Sequence, residues 1–215
     1  MNSHRTQLRR EFPGSAAPWR ARARILGMGL LLSCAAGTAL AQHTLTLRTN
    51  YYALTGGSLR DIHHALSRAR PWTDARQDGR TEWKINWRTQ LAPAGNGCRV
   101  ESFRTDTSVT ITLPRLLAPE GTPPEVLKTW QTYLTALMKH EQGHVRITRE
   151  AAAKIQAQAS AAGGVSCAEL RRNLNDRANQ LLEACRRAHR DYDRRTNHGA
   201  TEGAVLPRRL EEPAK

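Results

Sequence analysis

One pentapeptide in this 215-residue chain, His140-Glu141-Gln142-Gly143-His144, combines residue types and spacing that can do chemistry. On a helix, residues four apart stand one turn above each other, so both imidazoles can offer a nitrogen to one metal ion at about 2.0 to 2.1 Å. A single Zn2+ is the expected guest. Glu141 then lies beside the pair, placed to take a proton from a zinc-bound water and pass it to a leaving group. The ion brings the pKa of that water towards about 7, so a hydroxide nucleophile is available at neutral pH. The plain alternative is a solvated helix face with two unconnected histidines. Three surroundings favour the metal site: a strong helical pattern, an export signal, and a strand-like stretch from Val109 to Leu113 suited to aligning an extended substrate.

A catalytic zinc takes three protein ligands and keeps one position open. The extended metzincin pattern would need glycine three residues after His144 and histidine six after it, but Ile147 and Glu150 stand there. Glu150 also points well away from the pair on the same helix. Downstream candidates are His189, Asp191, Asp193, His198 and Glu202. The run Tyr192-Asp193-Arg194-Arg195-Thr196-Asn197-His198-Gly199 is the best source, because a non-helical tail with a glycine can fold back over the active helix.

The elements that must position these residues are readable from periodicity. Val126, Leu127, Trp130, Tyr133, Leu134, Leu137, Met138, Val145, Thr148, Ala152, Ile155 and Ala159 recur with a period near 3.6. They predict one helix of nearly forty residues, opened by Thr122-Pro123-Pro124 and ended by Gly163-Gly164. A second helix is expected from about Cys167 to His189, followed by an extended polar segment from Asp191 to Pro207. Earlier in the chain, Trp83, Ile85 and Trp87 alternate with Lys84, Asn86 and Arg88, which predicts a half-buried strand over Glu82 to Thr89. His43 to Thr49 reads as a further strand. Val109, Ile111 and Leu113 form another, stopped by Pro114, with Val100 to Phe103 as a nearby hairpin partner. Ser58 to Arg70 reads as a short helix with Ser58 as its cap.

Composition sets the compartment. Ile25 to Ala36 is apolar but short of the roughly 20 residues a membrane span needs. Arg20, Arg22 and Arg24 precede it and Ala39-Leu40-Ala41 follows, the three regions of a secretory signal peptide over residues 1–41. Periplasmic or secreted location follows. Leu31-Leu32-Ser33-Cys34 resembles a lipoprotein signal that would anchor the chain through Cys34, and Arg9-Arg10-Glu11-Phe12 a twin-arginine signal; both are weaker readings. The leader holds six Arg and one Glu, a net of +5, so the formal charge of +14 becomes +9 in the mature chain. The dispersed charge carries no nucleic-acid reader motif, so it is read as a solvated face with possible envelope association. Of the three mature cysteines, Cys98 and Cys167 sit at turn-rich boundaries and are the expected disulfide, leaving Cys185 as a free thiol inside a helix. Residues 42–207 make one domain, expected to be monomeric, with a disordered tail at 208–215. The fold class is α+β: a small antiparallel or mixed sheet on the long helix and a second C-terminal helix.

Several of these residues carry a likeness to a known family. Tyr52 to Gly56, Trp83 to Trp87, Gly97-Cys98, Leu113-Pro114, Trp130 ahead of the pentapeptide, Cys167 and Tyr192 to Gly199 together resemble predicted secreted zinc-dependent proteases catalogued as domain of unknown function 922. The likeness covers nearly all of the mature chain. It implies a zincin-like fold, His140 and His144 as zinc ligands, Glu141 as general base, and functional weight on Tyr192, Asp193 and His198. Within that tail His198 is the expected third ligand, since neutral imidazole suits zinc and Gly199 permits close backbone approach. Asp193 is the alternative ligand or an orienting partner, and Tyr192 is expected to donate to the oxyanion or to pack as a core aromatic. His63 and His64 read as surface residues, and Trp83, Trp87 and Trp130 as core. The expected activity is a zinc metallopeptidase acting on a peptide or protein. The rival readings are an inactive zincin-fold envelope module with structural zinc, and a basic scaffold for anionic polymers.

Overall fold

A computed structural model describes residues 40–73, 77–161 and 166–210. Most of the expected signal peptide, Cys34 and residues 211–215 of the expected tail lie outside the described residues. The fold is α+β, with strands β1 (Leu40–Thr55), β2 (Arg80–Ala94) and β3 (Gly97–Leu117) in the order β1-β3-β2. β1 runs parallel to the central β3, and β2 runs antiparallel to it. The sheet is therefore mixed. Helix α1 (Leu59–Ala69) links β1 to β2, and α2 (Pro124–Ala157) and α3 (Cys167–Thr196) follow β3.

β2 follows its sequence pattern. Trp83, Ile85 and Trp87 are the more buried residues of alternate pairs, with Lys84, Asn86 and Arg88 exposed between them. The two strands expected at Val100–Phe103 and Val109–Leu113 are one strand, β3. A bulge splits its pattern: Gln90 faces Ser102 but Leu91 faces Val100, so Glu101 is an extra residue. Burial accordingly steps from Cys98 and Val100 to Phe103, Thr105, Thr107, Val109, Ile111 and Leu113. Pro114 does not end the strand either. β2 has already stopped at the Arg80–Thr112 pair, so Pro114 has only β1 beside it, the kind of place a residue without an amide hydrogen tolerates.

α1 begins at the expected cap, where the Ser58 hydroxyl accepts from the Asp61 amide at 3.2 Å. α2 runs unbroken for 34 residues after Pro123, with Pro124 in its first turn, and a 3-10 turn over Gln158–Ala161 follows it. Its buried stripe joins two cores. The first half packs Val126, Trp130, Tyr133 and Leu137 with Ile62, Leu66, Ile111 and Leu113. The second packs Ala152 and Ile155 with Phe103, Leu170, Leu174 and Ala178. The pentapeptide lies where these two cores meet. α3 starts with a capping box between Ser166 and Glu169. It ends at Thr196, seven residues beyond the expected end, so Tyr192 and Asp193 are helical and not part of an extended tail.

The expected Cys98–Cys167 disulfide is formed and ties the start of α3 to β3, while Cys185 is a buried free thiol. Such a bridge is compatible with an exported protein. Among the described residues, no helix is long and apolar enough to cross a membrane.

Candidate metal centre

Helix spacing gathers the site. His140 and His144 stand one turn apart on α2, edge to face, with ring centroids 4.9 Å apart. α3 faces them with His189, Tyr192 and Asp193, also three or four residues apart. His140 Nε2 lies 3.3 Å and His144 Nε2 3.0 Å from Asp193 Oδ1. Ligand atoms from these three residues all fall within 4.8 Å of one another. The edge of a zinc tetrahedron with bonds of about 2.05 Å is roughly 3.3 Å, close to the two His–Asp193 separations.

One assignment of the ring protons satisfies these contacts and leaves the nitrogens that face Asp193 bare. The Thr148 hydroxyl donates to the His144 carbonyl at 3.0 Å, so its oxygen accepts from His189 Nε2 at 3.3 Å. His189 then has a bare Nδ1, which accepts from His144 Nδ1 at 2.8 Å. That leaves His144 Nε2 as a lone pair directed at Asp193. His140 reaches the same state by a shorter route, donating from Nδ1 to Glu202 Oε2 at 2.9 Å. Two imidazole lone pairs and a carboxylate oxygen then face one another, an arrangement that a cation would satisfy, so the three residues fit a metal ion.

The electrostatics agree. Burial pushes the Asp193 carboxyl up, but the facing His140 and His144 rings overcome it and hold the group well below the usual carboxylate range. Burial disfavours a charged His140 ring, yet its bonds to Asp193 and Glu202 prevail and raise its pKa. Both shifts mark a place prepared for positive charge. His189 moves the other way: burial, then the neighbouring His144, lower it to about 4, which keeps it neutral in the relay.

Glu141 is buried beside the pair, 3% exposed. Burial raises its pKa, opposed by a 2.6 Å hydrogen bond from the Thr81 hydroxyl to Oε2. A cavity of about 160 Å³ opens over this group, walled by Gln77 to Thr81, Leu137, His140, Glu141, His144, His189, Asp193 and His198.

Two glycines make room. A Cβ on Gly143 would stand 2.2 Å from the Tyr192 hydroxyl, so the middle of the pentapeptide is small because a tyrosine crosses it. Gly199, at φ +86°, lies against His140, where a Cβ would stand 2.9 Å from Cγ.

The expected residues occupy distinct places. His140, Glu141, His144 and Asp193 come together. His198 lines the cavity but is not in the three-donor group; its Nδ1 is 3.0 Å from Gln77 Nε2 and 3.8 Å from Asp193 Oδ1. Tyr192 stacks on His140 with centroids 4.9 Å apart and gives its hydroxyl to Glu202 at 2.9 Å. An oxyanion role would need that hydroxyl in the cavity. His189 and Glu202, weighed as ligands from the sequence, instead hold the outer nitrogens of His144 and His140. Val109 to Thr112 are paired on both sides and Leu113 with β1, so the free edge expected there for a substrate is taken up within the sheet. Among the described residues, β2 is the outer strand that begins beside the cavity. Thr81, Gln77 and Thr148 were not foreseen; only Thr148 had a signal, being four residues after His144.

No curated protein and no solved structure matches this chain. A family model described as bacterial protein of unknown function (DUF922) matches residues 49–199, from β1 through Gly199, and the chain belongs to that family.

Proposed function

We propose that this chain is an exported zinc-dependent hydrolase of zincin-like fold, working as a metallopeptidase on a peptide or protein. One observation carries the reading: three metal-ligating atoms, from His140, His144 and Asp193, converge beside the buried carboxylate of Glu141. When bound, the ion supplies Lewis acidity to a carbonyl oxygen and to water.

The chain's own residues do the rest. Thr81 fixes one oxygen of Glu141, so its carboxylate keeps one orientation. As the water oxygen bonds to the carbonyl carbon, the π pair moves onto the carbonyl oxygen and Glu141 accepts the water proton. When the C–N bond breaks, Glu141 gives that proton to the departing amine and is a carboxylate again. Burial, by raising its pKa, suits it to both halves of the cycle. The outer edge of β2 starts at Arg80, beside the cavity, and offers main-chain groups to an extended peptide.

A structural zinc would be closed by a fourth residue. Among the described residues the donor group has three members, and a cavity opens over it, which favours the enzyme over the inactive envelope module.

The test is zinc content after identical chelator washing, paired with cleavage of fluorescein-labelled casein. Wild type is expected to hold one zinc. Glu141→Gln keeps it and loses cleavage, whereas His140→Ala and Asp193→Ala lose the metal. A wild type that holds no zinc, or a Glu141→Gln variant as active as wild type, overturns the reading.

A further inference from the structure

Three consecutive residues after α3 stand in the left-handed region: Asn197 at φ 47°, His198 at φ 53° and Gly199 at φ 86°. For residues with side chains this backbone is disfavoured, and it persists only where surrounding bonds impose it. Here they do. The His198 amide donates to the Asp193 carbonyl at 2.8 Å, Gly199 to the Thr196 hydroxyl at 3.2 Å and Ala200 to the Asn197 carbonyl at 3.1 Å. The result of the turn is to place the His198 imidazole in the wall of the metal cavity, with 21% of its side chain exposed.

The ring is arranged as a donor. The Gln77 amide nitrogen lies 3.0 Å from His198 Nδ1 and donates to it, which consumes that lone pair and leaves the ring proton on Nε2. A ligand would need a bare nitrogen directed at His140 and His144, and His198 is absent from the group that has this geometry. Tyr192, the other candidate donor, has its hydroxyl bound to Glu202.

We propose that His198 is a catalytic residue, and not a metal ligand: its Nε2–H donates to the oxyanion that forms from the substrate carbonyl, with Gln77 holding the tautomer. The assignment rests on the hydrolase reading above. No bond to His198 forms or breaks; its hydrogen bond strengthens as the π pair moves onto the carbonyl oxygen and weakens when the carbonyl re-forms.

The experiment compares wild type, His198→Ala, His198→Gln and Glu141→Gln in three measurements: zinc content, the visible spectrum of the cobalt-substituted protein, and kinetics on fluorescein-labelled casein. His198→Ala is expected to keep one zinc and an unchanged cobalt spectrum, while kcat falls about 10²- to 10³-fold with KM nearly constant. His198→Gln, which retains an N–H donor, recovers part of the rate. Loss of zinc or a shifted cobalt spectrum in His198→Ala makes the residue a ligand and overturns the proposal. So does an undiminished kcat, which leaves the hydrolase reading intact provided Glu141→Gln is inactive. If wild type cleaves casein no faster than Glu141→Gln, the hydrolase reading itself fails and the role of His198 falls with it.

Discussion

Replacing Thr148 by valine tests the proton relay without touching a ligand. Thr148 is fully buried and valine has nearly its shape, so the lost hydroxyl is the main change. His189, 9% exposed, then has a donor at Nε2 with no acceptor. An orphaned buried donor costs about 1 to 3 kcal/mol. At about 2 to 4 °C per kcal/mol for a domain of this size, Tm should fall by roughly 2 to 12 °C. The second effect is on the metal. With its acceptor gone, His189 is free to move its proton to Nδ1, where it faces the Nδ1–H of His144. His144 escapes that clash by carrying its proton on Nε2, the atom that must bind metal. Loss of such an outer partner weakens metal sites about 10- to 100-fold, or about 1.4 to 2.7 kcal/mol. Competition for zinc against a chromophoric chelator measures the affinity, and nitrogen NMR of the imidazoles reports the tautomer of His144. Thr148→Ser, which keeps the hydroxyl, should bind zinc as wild type does. A Thr148→Val protein with wild-type affinity would refute the relay.

Gly143→Ala should drive the Tyr192 ring from its place over His140, because the new methyl would stand 2.2 Å from the hydroxyl. Overpacking of this kind costs about 1 to 3 kcal/mol. Thermal unfolding should show the loss and Gly143→Ala combined with Tyr192→Leu should recover part of it; an additive double variant would count against the contact. Reducing the Cys98–Cys167 bridge opens a 69-residue separation, for which chain entropy gives about 4 kcal/mol of stability, readable as a shift in the urea midpoint. Burial raises the Cys185 thiol from about 9 to about 11, so in the folded oxidised chain from Gln42 onward it should resist a thiol reagent at pH 8, and one thiol should titrate once that chain is denatured. The sign follows from linkage: above pH 9 the unfolded chain releases this proton first, so stability should decline between about pH 9 and 11.

The long helix, its pentapeptide and the disulfide were legible because each has a local signal: a 3.6-residue apolar period, a four-residue spacing, cysteines beside turns. The end of α3 was not. Its buried stripe continues through Cys185, His189, Tyr192 and Thr196, at helical spacing but in increasingly polar types, among exposed arginines such as Arg186, Arg187 and Arg190. Hydrophobic periodicity cannot see a face that is buried for its chemistry. β3 was divided in two for a related reason, since the bulge at Glu101 shifts the alternation by one residue and mimics a break. Gln77 and Thr81 reach the site only through tertiary contact, which no local pattern encodes.

An α3 that ended at His189 would leave Tyr192, Asp193 and His198 together in one extended tail, where a histidine is the natural third donor. With the helix extended, register brings Asp193 to the pair: His189 meets His144 and Thr148, Tyr192 crosses Gly143 onto His140, and Asp193 comes between the two histidine rings. All three donors then ride on two long helices. α3 is pinned at one end by a disulfide and α2 is packed into both cores. A metal site needs donor positions held to within about 0.5 Å, which such elements provide better than loops. His198 stands outside the helices, yet it is held as firmly: the main-chain bonds of its turn and the Gln77 amide fix the ring in the cavity wall, as a preorganised donor requires.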